Sequence, residues 1–215
     1  MKIRPSLLAC ALALAPLVAS AQQITFTDTW KEQRFAIFGS NDYALSGNTL
    51  GVTSEGTVSL LWTELPQSLW GKKQAAWDWS VQTSVPGTDL SRKGGDDRNL
   101  ALYFIFLPEA AAQAAQSKGV RALLDNPDVR VLMYIWGGTH SAGQIVASPY
   151  LGSRGRSMIM RGAGTGSASE RVDLARDHQR AFGEAAQSLV GLAVSSDSDD
   201  TNTTVSARLS GLRLD

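Results

Sequence analysis

The sequence predicts an all-β fold, an antiparallel β-sandwich of jelly-roll type with one or two short surface helices. Three observations predict this fold. Short runs in which apolar and polar residues alternate recur along the chain. Turn-forming pairs such as Gly47-Asn48 and Pro86-Gly87 separate these runs. Few segments have the helical period, and this disfavours a sheet that alternates with helices.

Ten segments are predicted to be strands, because their apolar residues alternate or run continuously between turn residues. These segments are Ile24–Thr27, Arg34–Phe38, Thr49–Thr53, Thr57–Thr63, Gln74–Val85, Asn99–Leu107, Arg130–Trp136, Ser157–Arg161, Leu189–Ser195 and Thr204–Leu214. Asn99–Leu107 and Arg130–Trp136 are apolar on both faces of the pleat, which is typical of central strands covered on both sides.

Two segments have the helical pattern instead. Pro108–Lys118 begins with proline and glutamate, continues through alanines and stops at Gly119, as the chemistry of helix ends predicts. Ser169–Phe182 begins with a residue that can cap a helix, and it stops at Gly183. Both helices are expected on the surface of the sandwich.

The N-terminus has the pattern of an export signal. Two basic residues, Lys2 and Arg4, precede the apolar stretch Leu7–Val18, and small residues of the kind that signal peptidase accepts follow. We predict a signal peptide over residues 1–21 and one β-sandwich domain over residues 22–215. The expected location is the periplasm or the exterior of a bacterium with Gram-negative-type export.

Cys10 offers a second interpretation of this segment, because Leu7–Cys10 resembles a site of lipoprotein cleavage and lipidation. Too few residues separate Arg4 from Cys10 to form the apolar core of such a leader, so we favour cleavage after Ala21. Cleavage there removes the one cysteine of the chain. The mature protein is then expected to have neither a disulfide nor a thiol nucleophile.

Charge and hydropathy exclude two kinds of partner. The chain has 20 basic and 20 acidic residues, so its formal net charge is 0. Binding to nucleic acid generally requires a basic stripe, which this balance disfavours. After the leader, no apolar run is long enough for a transmembrane helix. We therefore expect neither nucleic acid nor the membrane interior as a partner.

The first candidate ligand-binding residues lie in a loop before one of the central strands. Two glycines permit a sharp turn there, and Asp96, Asp97 and Arg98 follow. An arginine can bind a neighbouring carboxylate or the anionic group of a ligand. The three residues therefore either pin the loop through ion pairs or form the polar rim of a groove. Alternatively, one carboxylate belongs to a hydrolytic pair, which needs a defined separation.

Aromatic residues supply the second set of candidates. Tyr134 and Trp136 are two residues apart and so lie on one face of their strand, where Tyr103 is expected to join them. This face either packs into the core, as aromatic side chains commonly do, or forms a platform on which a sugar stacks.

His178 and Asp177 lie in the second predicted helix. Asp173 and Asp177 are four residues apart, so they share a helix face on which arginines can form surface ion pairs with them. Alternatively, the helix covers the sandwich and presents Asp177 and His178 to a cleft, since histidine has a pKa suited to acid–base chemistry. In a hydrolase or lyase, either residue would act together with Asp96 or Asp97.

An acidic connection over residues 195–203 joins the last two predicted strands. Asp197 and Asp199 alternate there with hydroxyl oxygens, which is the kind of donor set that calcium prefers. We therefore predict Asp197 and Asp199 as ligands of a structural calcium ion. An equally supported alternative is a turn whose aspartates accept hydrogen bonds from their own backbone.

Five segments occur in an order and spacing that resemble a known bacterial family. They are Trp77–Val81, Gly95–Arg98, Leu132–Trp136, Asp177–Gly183 and Ser196–Thr201. The resemblance extends from about Phe26 to Leu214, and the family is the exported one catalogued as domain of unknown function 3047. It implies an exported, β-rich domain and brings no established activity.

The chain departs from the pattern of that family in three places. His178 stands where tyrosine is usual, and Arg171 is displaced from the position expected beside Asp173. Ser210-Gly211 replaces an acidic pair in the last strand. The loss of that pair weakens any calcium site that takes a ligand from the last strand.

These observations favour a binding module for a glycan or another cell-envelope ligand over an enzyme. The alternatives are a carbohydrate-active hydrolase or lyase with paired carboxylates, and a structural envelope protein without a small-ligand site. The candidate ligand-binding residues are Asp96, Asp97, Arg98, Tyr134, Trp136 and His178. The candidate metal ligands are Asp197 and Asp199.

Overall fold

The computed structural model describes residues 21–35, 39–116 and 118–215, and it has two β-sheets packed face to face. These residues form thirteen strands, which are β1 (Gln22–Gln23), β2 (Lys31–Arg34), β3 (Asp42–Ser46), β4 (Thr49–Glu55), β5 (Val58–Glu64), β6 (Gln74–Thr83), β7 (Arg98–Leu107), β8 (Arg130–Trp136), β9 (Ile145–Ser148), β10 (Gly152–Arg161), β11 (Gly166–Asp173), β12 (Ser188–Asp197) and β13 (Thr204–Leu214). They also form three α-helices, which are α1 (Glu109–Ala115), α2 (Gly119–Asp125) and α3 (Leu174–Phe182). None of these helices is both long and apolar enough to cross a membrane.

The strand order confirms the predicted jelly-roll-like β-sandwich. One sheet has the order β11-β6-β13-β4-β3, with β1 also paired to β13. The other sheet has the order β2-β5-β12-β7-β8-β10-β9. Among the strands that the structure describes, the pairs are antiparallel except for β8 and β10, which run parallel. The parallel pair arises because β10 returns between β8 and β9.

Aromatic rings fill the core between the two sheets. The ring centroid of Trp77 on β6 lies 5.4 Å from that of Tyr134 on β8 and 6.2 Å from that of Phe104 on β7. The centroids of Trp79 and Trp136 are 5.6 Å apart. All five side chains are buried. Because residues two apart on a strand share a face, these rings define the faces that the sheets turn towards each other.

The seven-stranded sheet also has an outer face, which is the face turned away from the six-stranded sheet. In the pairing of β7 with β8, Leu102 lies opposite Tyr134, whereas Tyr103 lies opposite Met133. Residues opposite each other on neighbouring strands share a face, so Tyr103 lies on the outer face. The expectation that Tyr103, Tyr134 and Trp136 share one face is therefore wrong.

Most predicted strands are present with small differences at their ends. The predicted segments Arg130–Trp136 and Thr204–Leu214 have the bounds of β8 and β13. Ile24–Thr27 was expected to be a strand, but it contains only an isolated bridge, from Phe26 to Gly47.

Two predictions near the N-terminus fall wholly or partly outside the described residues. For the predicted strand Arg34–Phe38, the structure has β2, which ends at Arg34, and residues 36–38 lie outside the described part. The predicted signal peptide covers residues 1–21, of which residues 1–20, including Cys10 with its alternative lipidation, also lie outside it.

The predicted helix Ser169–Phe182 is wrong over its first five residues. Those residues belong to β11, which pairs with β6, and the cap is Asp173 rather than Ser169. The Asp173 carboxylate accepts a hydrogen bond from the backbone N–H of Arg176 at 3.0 Å. The helix ends as predicted at Gly183, whose φ of 76° is the left-handed conformation that glycine adopts readily. The helix predicted over Pro108–Lys118 is also shorter, since α1 ends at Ala115. Gly119, which was expected to end that helix, instead begins α2.

Candidate functional site

A buried polar cluster, which we call the Arg98 network, lies on the outer face of the seven-stranded sheet. Nη1 of Arg98 donates to a carboxylate oxygen of Asp96 at 3.2 Å and to Oδ2 of Asp197 at 3.0 Å. Nη2 donates to the hydroxyl oxygens of Tyr103 at 2.9 Å and Ser195 at 3.3 Å. The Arg98 side chain is only 12% exposed. One guanidinium therefore serves two buried carboxylates and two hydroxyl groups.

An irregularity in strand pairing brings Arg98 to this position. Between Ser195 and Asp197 the register of β12 against β7 shifts, so that Asp197 lies opposite Arg98. Such a bulge re-aims side chains, and here it directs Arg98 towards the face that carries Tyr103. Gly137 permits the close approach of the next chain segment, because a Cβ atom there would lie 2.9 Å from Cα of Arg98. The register shift between β12 and β7 and the glycine at position 137 together make room for Arg98 in the sheet.

The Arg98 network carries more acidic than basic charge, and its hydrogen bonds are incomplete. The pKa of Asp197 is raised to about 9, chiefly by burial and also by the nearby Asp199 and Asp96, although Arg98 lowers it. Nε of Arg98 and Oδ1 of Asp197 are buried without a hydrogen-bond partner. Buried polar atoms are normally paired, so an acceptor such as a water molecule is expected at Nε, and a water molecule or a proton is expected at Oδ1.

Asp97, the neighbour of Asp96, points into a different set of contacts. Its Oδ2 accepts hydrogen bonds from the backbone N–H of Thr201, at 2.8 Å, and from the Thr201 hydroxyl. Its Oδ1 accepts from the backbone N–H of Asp200 at 3.3 Å. Asp97 is 0% exposed. It therefore fastens the loop before β7 to the turn between β12 and β13, and it does not form an open polar rim.

Tyr150 is the residue of this site that the sequence analysis missed. It lies in the turn between β9 and β10 and is 61% exposed, yet its hydroxyl donates to Oδ1 of buried Asp96 at 3.0 Å. Nζ of Lys93 lies 5.4 Å from the centroid of its ring. Burial of the hydroxyl and the charge of Asp96 raise the pKa of Tyr150. The sequence signal that could have identified Tyr150 is an aromatic residue in a turn, between Pro149 and Gly152.

The expectation of an open aromatic platform at Tyr134 and Trp136 is corrected by their burial. They are 0% and 4% exposed, and they pack against Trp77 and Trp79 of the opposite sheet. The Trp136 indole N–H donates to the carbonyl of Gly164 at 3.1 Å. The alternative in which these rings pack in the core is the one that the structure supports, since they pack between the two sheets.

His178 and Asp177 are also buried, and they lie apart from the Arg98 network. The hydroxyl of Tyr134 donates to Asp177 at 3.0 Å, and Tyr134 faces the interior of the sandwich. The His178 ring packs between Phe106 and Phe182, with centroid distances of 5.0 and 4.8 Å. Because Tyr134 and the Arg98 network lie on opposite faces of one sheet, the predicted pairing of Asp96 or Asp97 with Asp177 or His178 does not form.

The burial of His178 predicts a loss of stability towards acidic pH. Burial lowers its pKa, while the Glu184 carbonyl, which is 3.0 Å from Nδ1, opposes this and Arg130 reinforces it. An unfolded histidine takes up a proton as the pH falls through about 6.5, whereas native His178 resists protonation until a lower pH. The free energy of unfolding is therefore expected to fall between about pH 6.5 and that lower value.

Melting curves of the wild type and of His178→Gln, recorded from neutral to mildly acidic pH, measure this effect. We expect the slope of stability against pH to be shallower in His178→Gln. His140→Gln, which removes the other histidine of the chain, is the comparison. Equal slopes in the wild type and in His178→Gln would contradict a buried, neutral His178.

The acidic turn between β12 and β13 is present, but its carboxylates are arranged differently from the prediction. Carboxylate oxygens of Asp97, Asp199 and Asp200 lie within 4.8 Å of one another. Asp197, which was expected to bind calcium beside Asp199, directs its Oδ2 to Arg98 instead. The cluster therefore contains Asp199 of the predicted pair together with Asp97 and Asp200, and Asp197 is not one of its members.

A second polar surface lies on the exposed face of the six-stranded sheet. It is a wide, open groove of about 490 Å³. Its polar lining is formed by Asp78, Ser80, Ser167, Ser169, Arg208 and Ser210. Trp79 also borders the groove, but it is only 2% exposed because its ring packs into the core. The groove thus offers hydroxyl groups and charges without an accessible ring.

The comparisons with known proteins identify a family and carry no activity. A family model described as a protein of unknown function, DUF3047, matches residues 28–213. No curated protein matches the chain significantly.

Two solved structures of similar shape have low sequence identity to the chain. The xyloglucanase domain of NopAA, a type three effector from Sinorhizobium fredii in complex with cellobiose, is 11% identical with a TM-score of 0.49. That match covers 86% of this chain and 92% of the other. A loop-swap mutant of Xyn11A from Necallimastix patriciarum is 12% identical with a TM-score of 0.45 and covers 88% and 92% of the two chains. At these scores neither structure carries an argument about ligand or activity.

Proposed function

Because the chain belongs to the DUF3047 family, whose function is unknown, we propose its function from the geometry of the outer face. The protein binds a hydroxyl-rich ligand, such as a glycan of the cell envelope, through Tyr150 and the loop that carries Lys93 and Asp96. The predicted leader over residues 1–21 supports a location in the periplasm or outside the cell, where such glycans occur.

The observation that carries the proposal is the fixed orientation of an exposed ring. Tyr150 is 61% exposed, and its hydroxyl is bound to a carboxylate that is itself 4% exposed. An exposed tyrosine normally samples several rotamers, and a ligand that binds it must restrict that freedom. Here Asp96 restricts it in advance. The apolar face of a sugar ring can therefore stack on Tyr150 with a smaller loss of entropy.

The polar surroundings of Tyr150 suit a ligand with hydroxyl groups. Lys93 is exposed and supplies an ammonium group, which donates hydrogen bonds, beside the ring. Asp96 is held by Arg98, so the support of Tyr150 extends to two central strands. In this proposal Asp96 and Arg98, two of the predicted ligand-binding residues, hold the Tyr150 ring in position. Tyr134, Trp136 and His178 are not ligand contacts.

One observation favours a hydrolase as the second candidate. Asp96 and Asp197 both accept from Nη1 of Arg98, and the raised pKa of Asp197 is a property of general acids. Both carboxylates are more than nine-tenths buried, however, and a glycosidase needs access for its substrate on both sides of the scissile bond. Because Asp96 and Asp197 are buried, we favour ligand binding over hydrolysis as the function.

Removing the ring of Tyr150 tests the binding function. We expect Tyr150→Ala to reduce retention on an array of envelope glycans about tenfold or more, because the stacking contact is lost. The melting temperature should stay within about 2 °C of the wild type, since an exposed side chain contributes little to stability. Retention on immobilised peptidoglycan and lipopolysaccharide gives a second measurement.

Two further variants separate the contributions of the ring and of its hydroxyl group. Tyr150→Phe keeps the ring but removes the bond to Asp96, so intermediate retention is expected. Leu45→Ala removes an exposed apolar side chain, 37% exposed, from β3 of the other sheet and should bind as the wild type does. Retention by Tyr150→Ala equal to that of the wild type, or no retention of any glycan by the wild type, contradicts the proposal. Product release that Asp197→Asn abolishes would favour the hydrolase.

A further inference from the structure

The groove on the exposed face of the six-stranded sheet is formed by polar side chains in register. Trp77 and Trp79 of β6 point into the core, so Asp78 and Ser80, which alternate with them, point to solvent. Two rows of opposed residues cross β11, β6 and β13, and they are Ser169, Asp78 and Ser210, and Ser167, Ser80 and Arg208. Residues opposite each other share a face, so these six side chains form one outward surface that is rich in hydroxyl groups.

A bulge in β13 places a second arginine on this surface. Ser210 lies opposite Asp78, whereas the next paired residue, Arg213, lies opposite Ala76, two positions along β6. Two residues of β13 therefore oppose one residue of β6, and the alternation of β13 is reversed beyond this point. Arg213 consequently lies on the same face as Ser210, although a regular strand would direct it into the core.

Gly211 forms the bulge, and the burial pattern shows the reversal. Leu209 before the bulge and Leu212 and Leu214 after it are the buried residues of this part of β13. The φ of Gly211 is 62°, and a Cβ atom there would lie 3.3 Å from Oδ2 of Asp78. Both the left-handed conformation and the close contact favour glycine. The outward position of Arg213 therefore has a definite local cause.

The two arginines of this surface have no counter-charge. Arg208 is exposed and Arg213 is partly exposed. Among the residues that the structure describes, no acidic side chain forms an ion pair with either of them. Asp78 lies between them along β6, and its Oδ1 accepts from the hydroxyl of Ser169 instead. Both guanidinium groups can therefore bind an anionic group that a ligand supplies.

We propose that this surface binds an acidic glycan, which is a chain of sugar units that carries carboxylates as well as hydroxyl groups. Arg208 and Arg213 bind carboxylates of the chain through paired N–H donors. The serine hydroxyls of the groove and the Asp78 carboxylate form hydrogen bonds with its hydroxyl groups. The groove has no accessible ring, so binding depends on hydrogen bonds and charge and not on stacking.

The spacing of the two arginines favours a polymer over a single small anion. Their partners on β6, Ser80 and Ala76, are four residues apart, so the backbones of Arg208 and Arg213 are about 13 Å apart along the strand. An extended chain with repeated carboxylates can contact both arginines at once. This site lies on the opposite sheet from the Tyr150 site, and it does not depend on the function proposed for Tyr150.

Retention of the protein on immobilised polygalacturonate and alginate, with a chelator present, tests this proposal. Methyl-esterified polygalacturonate is the matched neutral chain, and we expect it to be retained about tenfold more weakly than the free acid. Raising the salt concentration from about 0.01 M to about 0.15 M should weaken retention on the acidic chains, because exposed charges are then screened.

Matched variants locate the bound chain. Arg208→Gln and Arg213→Gln should each reduce retention about tenfold and leave the melting temperature within about 2 °C of the wild type. Arg121→Gln removes an exposed arginine from α2 and should bind as the wild type does.

Three outcomes would overturn the proposal. The first is no retention on either acidic chain, and the second is equal retention of the acidic and the esterified chain. The third is equal binding by Arg208→Gln, Arg213→Gln and Arg121→Gln. Tyr150→Ala separates the two sites, because it should bind the acidic chains as the wild type does. If Tyr150→Ala loses this retention while Arg208→Gln keeps it, the chain binds at Tyr150, and the function proposed there stands without the second site.

Discussion

Replacing Arg98 with methionine is expected to lower the free energy of unfolding by about 3–5 kcal/mol. The substitution removes the guanidinium that satisfies Asp96, Asp197, Tyr103 and Ser195 and leaves two buried acidic groups and two hydroxyl groups without their shared donor. Removal of one partner from a buried ion pair costs more than the pair contributes, because the remaining charge stays desolvated. Urea denaturation followed by circular dichroism measures the loss.

Two further variants distinguish the buried charge from other effects of the substitution. Arg208→Met removes an exposed arginine from the six-stranded sheet, and we expect a change of about 0.5 kcal/mol or less. Adding Asp197→Asn to Arg98→Met should restore part of the lost stability, because a buried acidic group, whose ionisation burial opposes, is then absent. A loss below about 1 kcal/mol in Arg98→Met would show that the network is not buried in solution.

The central strands could be predicted from the sequence, whereas the edge strands could not. β7 and β8 are apolar on both faces, and a pattern of that kind has few alternative structures. β3 and β11 lie at the edges of the six-stranded sheet, where most of their side chains face solvent. Their serine, glutamate and arginine residues carry little alternation, so the first part of the predicted helix at Ser169 was in fact a strand. A hydrophobic pattern in the sequence indicates which residues are buried, and edge strands bury few residues, so their pattern is weak.

The sequence identified two residues of the candidate site, but it did not predict which distant residues they contact. Asp96 and Arg98 were named from a local motif, but two partners of Arg98, Asp197 and Ser195, lie 99 and 97 residues away in the sequence. Only the register of β12 against β7 brings them together, and a bulge that sequence patterns do not reveal sets that register. The same long-range pairing turns a predicted polar rim into a buried network.

Alternation alone also could not assign the aromatic residues to a face. It places Tyr134 and Trp136 on one side of β8, and it does not say whether that side meets solvent or a second sheet. The six-stranded sheet decides this through Trp77 and Trp79, which occupy the facing positions. Tyr150 lies in a turn and not on a strand, so no second sheet covers its ring and the ring stays exposed.

Replacing Trp136 with alanine is therefore expected to act on stability, with a loss of about 3–5 kcal/mol. The side chain is 4% exposed, packs edge-on against Trp79 and donates from its indole to Gly164. Alanine leaves a cavity between the sheets, and it also leaves the carbonyl of Gly164 without this donor. Chemical denaturation gives the change in free energy, and near-ultraviolet circular dichroism reports the loss of aromatic packing.

The comparison with Tyr150→Ala makes this prediction decisive. Both substitutions remove an aromatic ring from the seven-stranded sheet or its connections, but Tyr150 is 61% exposed and Trp136 is not. We expect Tyr150→Ala to lose binding with little change in stability, and Trp136→Ala to lose stability first. Trp136→Phe, which keeps part of the ring volume, should fall between the wild type and Trp136→Ala. If Trp136→Ala melts as the wild type does while glycan retention disappears, Trp136 is a ligand contact and the core assignment is wrong.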